Sequence, residues 1–189
     1  RHIQSHLFFA HVRSATGTPT MRPNCHPFAC GRWMFMHNGV IGHWPRVRRR
    51  VEALISDTFY GSRVGTTDSE AVFLAIMGAG AETDPVGATL RTLETLTRMV
   101  DEDGLHEILR FTSALANGRD LYAFRYAANC AGNTLYYRCS GSDVVIVSEP
   151  LDGDHSGWVE VPENHMVVAR AGRPAELVPF AIGQPIAAE

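Results

Sequence analysis

The stretch FMHNGVIGHW places His37, Asn38 and Gly39 at the end of an apolar run. Asn and Gly both tolerate positive φ, so a type I′ hairpin turn is one expectation for the pair. The other is chemical: a side-chain amide beside an unobstructed backbone N–H can hold negative charge developing on an oxygen atom. Further polar residues stand nearby in sequence: Arg13 and Thr16 after an aromatic-rich segment, Asn24 and His26 in a loop, and Asp68 within GTTDSE. Singly, each has an ordinary role. Arg13 suits a surface ion pair, His26 a satisfied loop histidine, and Asp68 a helix cap. Together, an arginine, a carboxylate and an amide-plus-N–H pair form a recognition set for an amino acid such as glutamine. The guanidinium takes the α-carboxylate, the aspartate the α-ammonium, and the two donors the oxygen of a reacting side-chain carbonyl. A cysteine thiolate attacking that amide would complete a hydrolysis through an oxyanion and a thioester.

These residues must be positioned by a small number of elements. HLFFAHVR reads as a buried strand, and SATGTPTMRPNCHPFACGR as a long loop. RWMFMHNG reads as a second strand that ends at Asn38-Gly39. Val47, Val51, Leu54 and Ile55 recur at helical spacing from about Pro45, with the arginines of WPRVRRRVEAL on the opposite side. Thr67 or Asp68 caps a further helix whose first turn contains Glu70, and DPVGATLRTLETLTRMV supplies an amphipathic one with Leu90, Leu93, Leu96 and Val100 as its stripe. Asn117-Gly118 lies between two strand-like runs and predicts a plain hairpin turn. NTLYYRC, SDVVIVSEP and GWVEVPENHMVVARAG add short strands. Two strands, then helices, then several strands predict an α+β layered fold.

The chain has 189 residues, enough for one domain (1–189) with a core of its own. A formal net charge of −3 gives no general attraction for nucleic acid, and no apolar run is long enough for a membrane-spanning helix. Cys25, Cys30, Cys130 and Cys139 have no CxxC spacing, so reduced thiols and a cytoplasmic location are expected, with no metal or cofactor.

FAHVRSAT, NCHPF, WMFMHNGVI and GTTDSEAVF, in that order and spacing, resemble the class II glutamine amidotransferases of the N-terminal-nucleophile (Ntn) hydrolase superfamily. The likeness is strongest over residues 7 to about 74 and continues, with SEPLD and WVEVP, to about residue 170. NCHPF followed by WMFMHNG looks most like the stand-alone group that contains γ-glutamyl hydrolases. The resemblance implies an αββα sandwich, two antiparallel sheets between helical layers. It implies that Arg13 binds the substrate α-carboxylate with Thr16 shaping that subsite, and that Asp68 binds the α-ammonium. Asn38 and Gly39 would form the oxyanion hole, supported by His26 and His37. The substrate would be glutamine or a γ-glutamyl small molecule, with a synthase or amidotransferase subunit as partner if ammonia is the product. The family's nucleophile is a cysteine at the mature N terminus, upstream of FAHVR, whose own α-amine acts as base. Arg1 stands close to the first motif, so the chain as written is expected to lack the N-terminal strands and the nucleophile, to be inactive by itself, and to leave sheet edges and apolar surface uncovered.

Three other readings compete. Cys25 with His37 across strands would form a replacement nucleophile and base, whereas Cys25 and His26, as neighbours on an extended segment, point apart. His11, His26 and His37 converging on zinc would make a metal hydrolase, although no HExxH organises them. A non-catalytic remnant that binds an amino acid or a partner protein would retain Arg13 and Asp68 as well.

Overall fold

Alternation builds the central strand. Trp33, Phe35, His37 and Ile41 are buried while the residues between them are more open, and Trp33–Ile41 forms one strand, β2. The structure is a computed structural model that describes residues 5–12, 21–102, 106, 108–141, 143–150 and 156–183. A turn with Gly31 at φ 57° leads into β2 from β1 (Phe28–Cys30), and a 3-10 turn at Arg22–Asn24 precedes β1. Four helices follow β2: α1 (Trp44–Glu52), α2 (Asp57–Tyr60), α3 (Asp68–Gly78) and α4 (Pro85–Asp101). The remaining strands are β3 (Leu109–Ala116), β4 (Leu121–Ala128), β5 (Tyr136–Ser140), β6 (Asp143–Val147), β7 (Val159–Glu160), β8 (His165–Ala169) and β9 (Glu176–Pro179).

Two antiparallel sheets result, one of six strands in the order β1-β2-β3-β4-β8-β9 and one of three in the order β6-β5-β7. The six-stranded sheet is sandwiched between two apolar layers. On one face Phe35, Ile41, Phe111, Leu115, Tyr122 and Phe124 pack against Phe73, Leu93 and Leu96 of α3 and α4. Phe35 and Phe73 stack with centroids 5.3 Å apart, which fixes β2 to α3 at the level of the polar residues that follow. Each such ring contributes about 1.5–3 kcal/mol by leaving water. On the other face Ala114, Ala123 and Val167 meet Tyr137 and Ile146 of the smaller sheet and the flanking residues Leu135 and Val161. Arg125 crosses between the sheets, donating to Glu160 Oε1 (2.7 Å) and the Val161 carbonyl (2.6 Å). The fold is thus α+β with two packed antiparallel sheets and a helical layer, as the sequence predicts.

α3 is buried on every side from Ser69 to Met77, the pattern of a helix enclosed by other elements. α4 has one apolar stripe, Leu90, Leu93, Leu96 and Val100, and Asp84 caps it by accepting from Gly87 N–H (2.9 Å). The Asn117-Gly118 turn forms as predicted between β3 and β4. Asn117 Oδ1 accepts from Arg119 N–H (3.0 Å) and Asp120 N–H (2.8 Å), and Gly118 takes φ 83°.

The structure corrects two expectations. Residues 7–12 of HLFFAHVR join no strand among the described residues, and Phe8 and Val12 are exposed at 77% and 98%. Aromatic and β-branched content gives a segment the tendency to extend, but a strand exists only where a neighbour takes its N–H and C=O groups. Asn38-Gly39 does not end β2 either. Both residues lie inside the ladder, opposite Thr112 and Phe111, and the chain turns only beyond Ile41. Eight consecutive register pairs with β3 outweigh the local preference of Asn-Gly for a turn.

Candidate functional site

The register of β2 decides where its polar groups point. Gly42 N–H donates to the Ile108 carbonyl at 2.7 Å, one step beyond the 41↔109 pair. Antiparallel bonding alternates, so 38, 40 and 42 exchange bonds with β3 while 39 and 41 direct their N–H groups to the opposite edge. Ile41 confirms the parity, because its N–H donates to Asp68 Oδ2 at 3.1 Å. Gly39 N–H faces the same edge. β1 covers that edge only through Phe35, so from His37 onward it is lined by the start of α3.

Asp68 is held there by the way its helix begins. Of the two cap candidates in the sequence, Thr67 is the N-cap, its Oγ1 accepting from Glu70 N–H (3.2 Å), and Asp68 is the first residue of the helix. The Glu70 carboxylate reaches further upstream than a capping box requires, accepting from Val64 N–H (2.9 Å) and Gly65 N–H (2.8 Å). Arg63 completes the arrangement with a buried bond to Glu70 (2.7 Å) and another to the Thr67 carbonyl (2.9 Å). Asn24, fully buried, accepts from Thr66 N–H at 2.8 Å and ties the loop to the 3-10 turn before β1. The Asp68 carboxylate is then oriented on both oxygens, Oδ2 by Ile41 N–H and Oδ1 by Ser69 N–H (2.8 Å).

His37 lies beneath this edge, on the helix side of the sheet. Its Nε2 faces the Arg110 carbonyl at 3.1 Å and its Nδ1 the Ser69 hydroxyl at 2.9 Å. A carbonyl only accepts, so Nε2 carries the proton, and in the neutral ring that burial favours Nδ1 accepts a hydrogen bond from the Ser69 hydroxyl. Burial pushes the His37 pKa below its usual value, against the raising effects of the Asp68 charge and the Arg110 carbonyl. The same ring leaves no room beneath Gly39, on the helix side of the sheet. A Cβ there would meet the Arg110 carbonyl oxygen at 2.1 Å and His37 Nε2 at 2.3 Å, so only glycine fits.

Because the folded state favours neutral His37, the unfolded chain binds more protons between the two pKa values. Stability is therefore full above the unfolded value near 6.5 and falls as pH drops below it, with a slope of at most about 1.4 kcal/mol per pH unit. Urea midpoints between pH 7.5 and 5 should fall more steeply for the wild type than for His37→Gln, whose amide can make both bonds without titrating. Parallel profiles would contradict the assignment.

Asn38 lies on the other face of β2, towards the smaller sheet, and is exposed. Its backbone carbonyl and Oδ1 each accept from Asn133 Nδ2 at 3.1 Å. Asn133 belongs to the β4–β5 connection and had no local signal in the sequence, since its partner lies 95 residues away. Arg63, Ser69 and Thr112 likewise carry no local signal, and the sequence marks Glu70 only as a first-turn residue.

The structure thus brings His37, Asn38, Gly39 and Asp68 together around the open edge of β2. His26 packs elsewhere, between His11 (4.3 Å between centroids) and Phe28 (4.6 Å) at the start of β1. Arg13 and Thr16 lie outside the described residues. Cys25 is exposed and its thiol faces the Met21 carbonyl at 3.4 Å, while both ring nitrogens of His37 are engaged, so the two do not form a nucleophile–base pair. His37 is also held apart from the His11–His26 pair, and among the described residues no group of three or more His, Cys, Asp or Glu side chains is arranged to hold a metal ion. No helix among the described residues is long and apolar enough to cross a membrane. Chemically, an outward N–H, an exposed carboxamide and a fixed carboxylate can receive a polarised carbonyl and an ammonium group on one ligand.

The family description for class II glutamine amidotransferases matches residues 1–137. The chain belongs to that family. A probable glutamine amidotransferase of Saccharomyces cerevisiae is 27% identical over 88% of the chain and 58% of its own length. The γ-glutamyl-hercynylcysteine sulfoxide hydrolase of Mycolicibacterium smegmatis is 32% identical over 89% of the chain and 62% of its own. The chain therefore spans about 60% of the length of these curated relatives. The solved structure of a glutamine aminotransferase class-II domain protein from Silicibacter pomeroyi superposes with a TM-score of 0.75 at 37% identity, covering 87% of this chain and 74% of that one. The α+β layering of two antiparallel sheets is thus a fold that this chain shares with that solved structure.

Proposed function

We propose that this chain carries the substrate-binding and oxyanion-stabilising part of a hydrolase that cleaves the γ-amide of glutamine or of a γ-glutamyl compound. The observation that carries the reading is the shared edge of β2, where the Asp68 carboxylate is fixed two residues along the strand from the outward Gly39 N–H. A γ-glutamyl group has an ammonium at one end and a reacting carbonyl at the other, which suits that separation. In this reading Asp68 takes the α-ammonium, Asn38 Nδ2 and Gly39 N–H take the oxyanion, and Arg13 with Thr16 takes the α-carboxylate. His37 supports the strand from beneath, whereas His26, packed between His11 and Phe28, takes no part in this reading.

The attacking group is a cysteine thiolate at the mature N terminus of the complete polypeptide, giving a thioester and releasing ammonia or a larger amine. Water then attacks the thioester carbonyl, releasing glutamate and restoring the thiol, and Asn38 and Gly39 hold the oxyanion in both halves. The γ-glutamyl relative favours a conjugate over free glutamine as substrate. Release of ammonia would instead require a synthase subunit to use it. The four free thiols suit a cytoplasmic setting.

Arg13→Ala in the complete polypeptide tests the binding half of the proposal. Loss of a charge-assisted bond to the α-carboxylate should raise KM by roughly 10- to 100-fold with kcat little changed. The variant should also lose the wild type's preference for a free α-carboxylate over an α-carboxamide. Unchanged KM and preference would remove Arg13 from the site.

A further inference from the structure

We propose that Asn133 is a positioning residue, which sets the rotation of the Asn38 amide and thereby decides which of its two ends is offered to the reacting oxygen. The inference rests on the oxyanion role given to Asn38 above. A carboxamide is symmetrical in shape but opposite in function at its ends, so an exposed asparagine donates to an anion only if something holds it the right way round.

The geometry fixes that orientation. The polar end of Asn133 facing β2 contacts the Asn38 backbone carbonyl, which can only accept, so that end must be its NH2 group. The same NH2 lies 3.1 Å from an atom of the Asn38 side chain, which must then be Oδ1. Asn38 Nδ2 is left pointing away from Asn133, a donor with no hydrogen-bond acceptor among the described residues. Asn133 is itself fixed through its backbone, because its carbonyl accepts from Thr112 Oγ1 at 3.1 Å and Thr112 is the ladder partner of Asn38. The rest of the connection is held on both sides. Arg110 Nε donates to the Ala131 carbonyl (3.0 Å), and Gly132 N–H donates to Glu163 Oε1 (2.6 Å).

Replacing the donor of Asn133 by an acceptor should turn the Asn38 amide over. In Asn133→Asp a carboxylate oxygen would attract Asn38 Nδ2 and leave Oδ1 facing the substrate, repelling the oxyanion. In Asn133→Ala the amide is merely released and spends part of its time correctly oriented. With the complete polypeptide and a γ-glutamyl substrate, kcat should fall by about 10-fold in Asn133→Ala and by roughly 100-fold or more in Asn133→Asp, with KM within about threefold of wild type in both. A merely structural role would instead make the truncation at least as harmful as the near-isosteric aspartate. Equal kcat values for the two variants, or a KM effect that exceeds the kcat effect, would overturn the inference. Should Asn133→Asp fail to fold, the double-mutant cycle decides. Asn133→Ala added to Asn38→Ala should cost nothing further, and full additivity would overturn the inference. Wild-type turnover in Asn38→Ala alone would instead bring down the underlying oxyanion reading, and is thereby told apart from a failure of Asn133.

Discussion

Asn38→Ala in the complete polypeptide should lower kcat by about 10²–10³-fold, equivalent to about 2.7–4 kcal/mol of transition-state stabilisation, while KM changes little. The reason lies in when the bond forms. The ground-state carbonyl is a weak acceptor, and the Nδ2 donor gains strength only as charge moves onto the oxygen, so its loss is felt in turnover and not in binding. Folding should be nearly unaffected, because Asn38 is exposed and its side chain has one described partner, Asn133 Nδ2, which retains the Asn38 backbone carbonyl. Steady-state kinetics with a thermal melt checks both halves. A variant with unchanged kcat, or one that loses activity only because it unfolds, would contradict the role.

Glu70→Ala should destabilise the fold by about 3–5 kcal/mol, a large share of the total stability of a domain this size. Its carboxylate is 3% exposed, pairs with Arg63 at 2.7 Å, and accepts from two loop N–H groups. Truncation leaves the buried Arg63 guanidinium with Glu52 (2.9 Å) in place of two carboxylates and leaves two backbone donors without acceptors, and the methyl group gives nothing back. The consequence reaches function through local order. The loop from Arg63 to Thr67 sets the start of α3, and Asp68 is the first residue of that helix. KM for a γ-glutamyl substrate should therefore rise even in conditions where the variant remains folded. Urea unfolding measures the first effect, and a loss below about 1 kcal/mol would show that Glu70 and Arg63 do not act as a buried pair.

Much of this arrangement was legible before the structure because it is local. The Thr67 cap, the stripe of α4 and the Asn117-Gly118 hairpin each follow from a few adjacent residues, and each forms as expected. The resemblance of four motifs in register identified the family and the two-sheet fold as well. What failed or was missed depends on partners distant in the chain. HLFFAHVR has the composition of a strand, but composition names no neighbour to pair with. Asn38-Gly39 has the composition of a turn, but the ladder with β3 overrides it. β1 lay unseen inside a loop rich in Pro, Gly and Cys because three residues give no period to read. β9, a strand of four residues at the sheet edge, was missed for a related reason. Arg63 and Asn133 are ordinary polar residues of connecting segments, and they matter only through contacts that tertiary packing creates.

The burial of His37 illustrates the same division. Its place in MHNG made it a supporting residue in sequence terms. Only the structure supplies the reason, a neutral ring wedged under Gly39 and bonded to Ser69 and Arg110.

The central claim is that Asn38, Gly39 and Asp68 serve one amide-cleaving site, and a rapid-mixing experiment on the complete polypeptide tests it most directly. A γ-glutamyl substrate with a chromogenic amine should give a burst of free amine approaching one equivalent per enzyme, followed by slower release of glutamate as the thioester hydrolyses. The burst rate should fall by about 10²-fold or more in Asn38→Ala. Absence of amine release from a folded wild-type protein across glutamine and a panel of γ-glutamyl amides, with the amino acid still bound, would contradict the hydrolase account and leave a binding protein in its place.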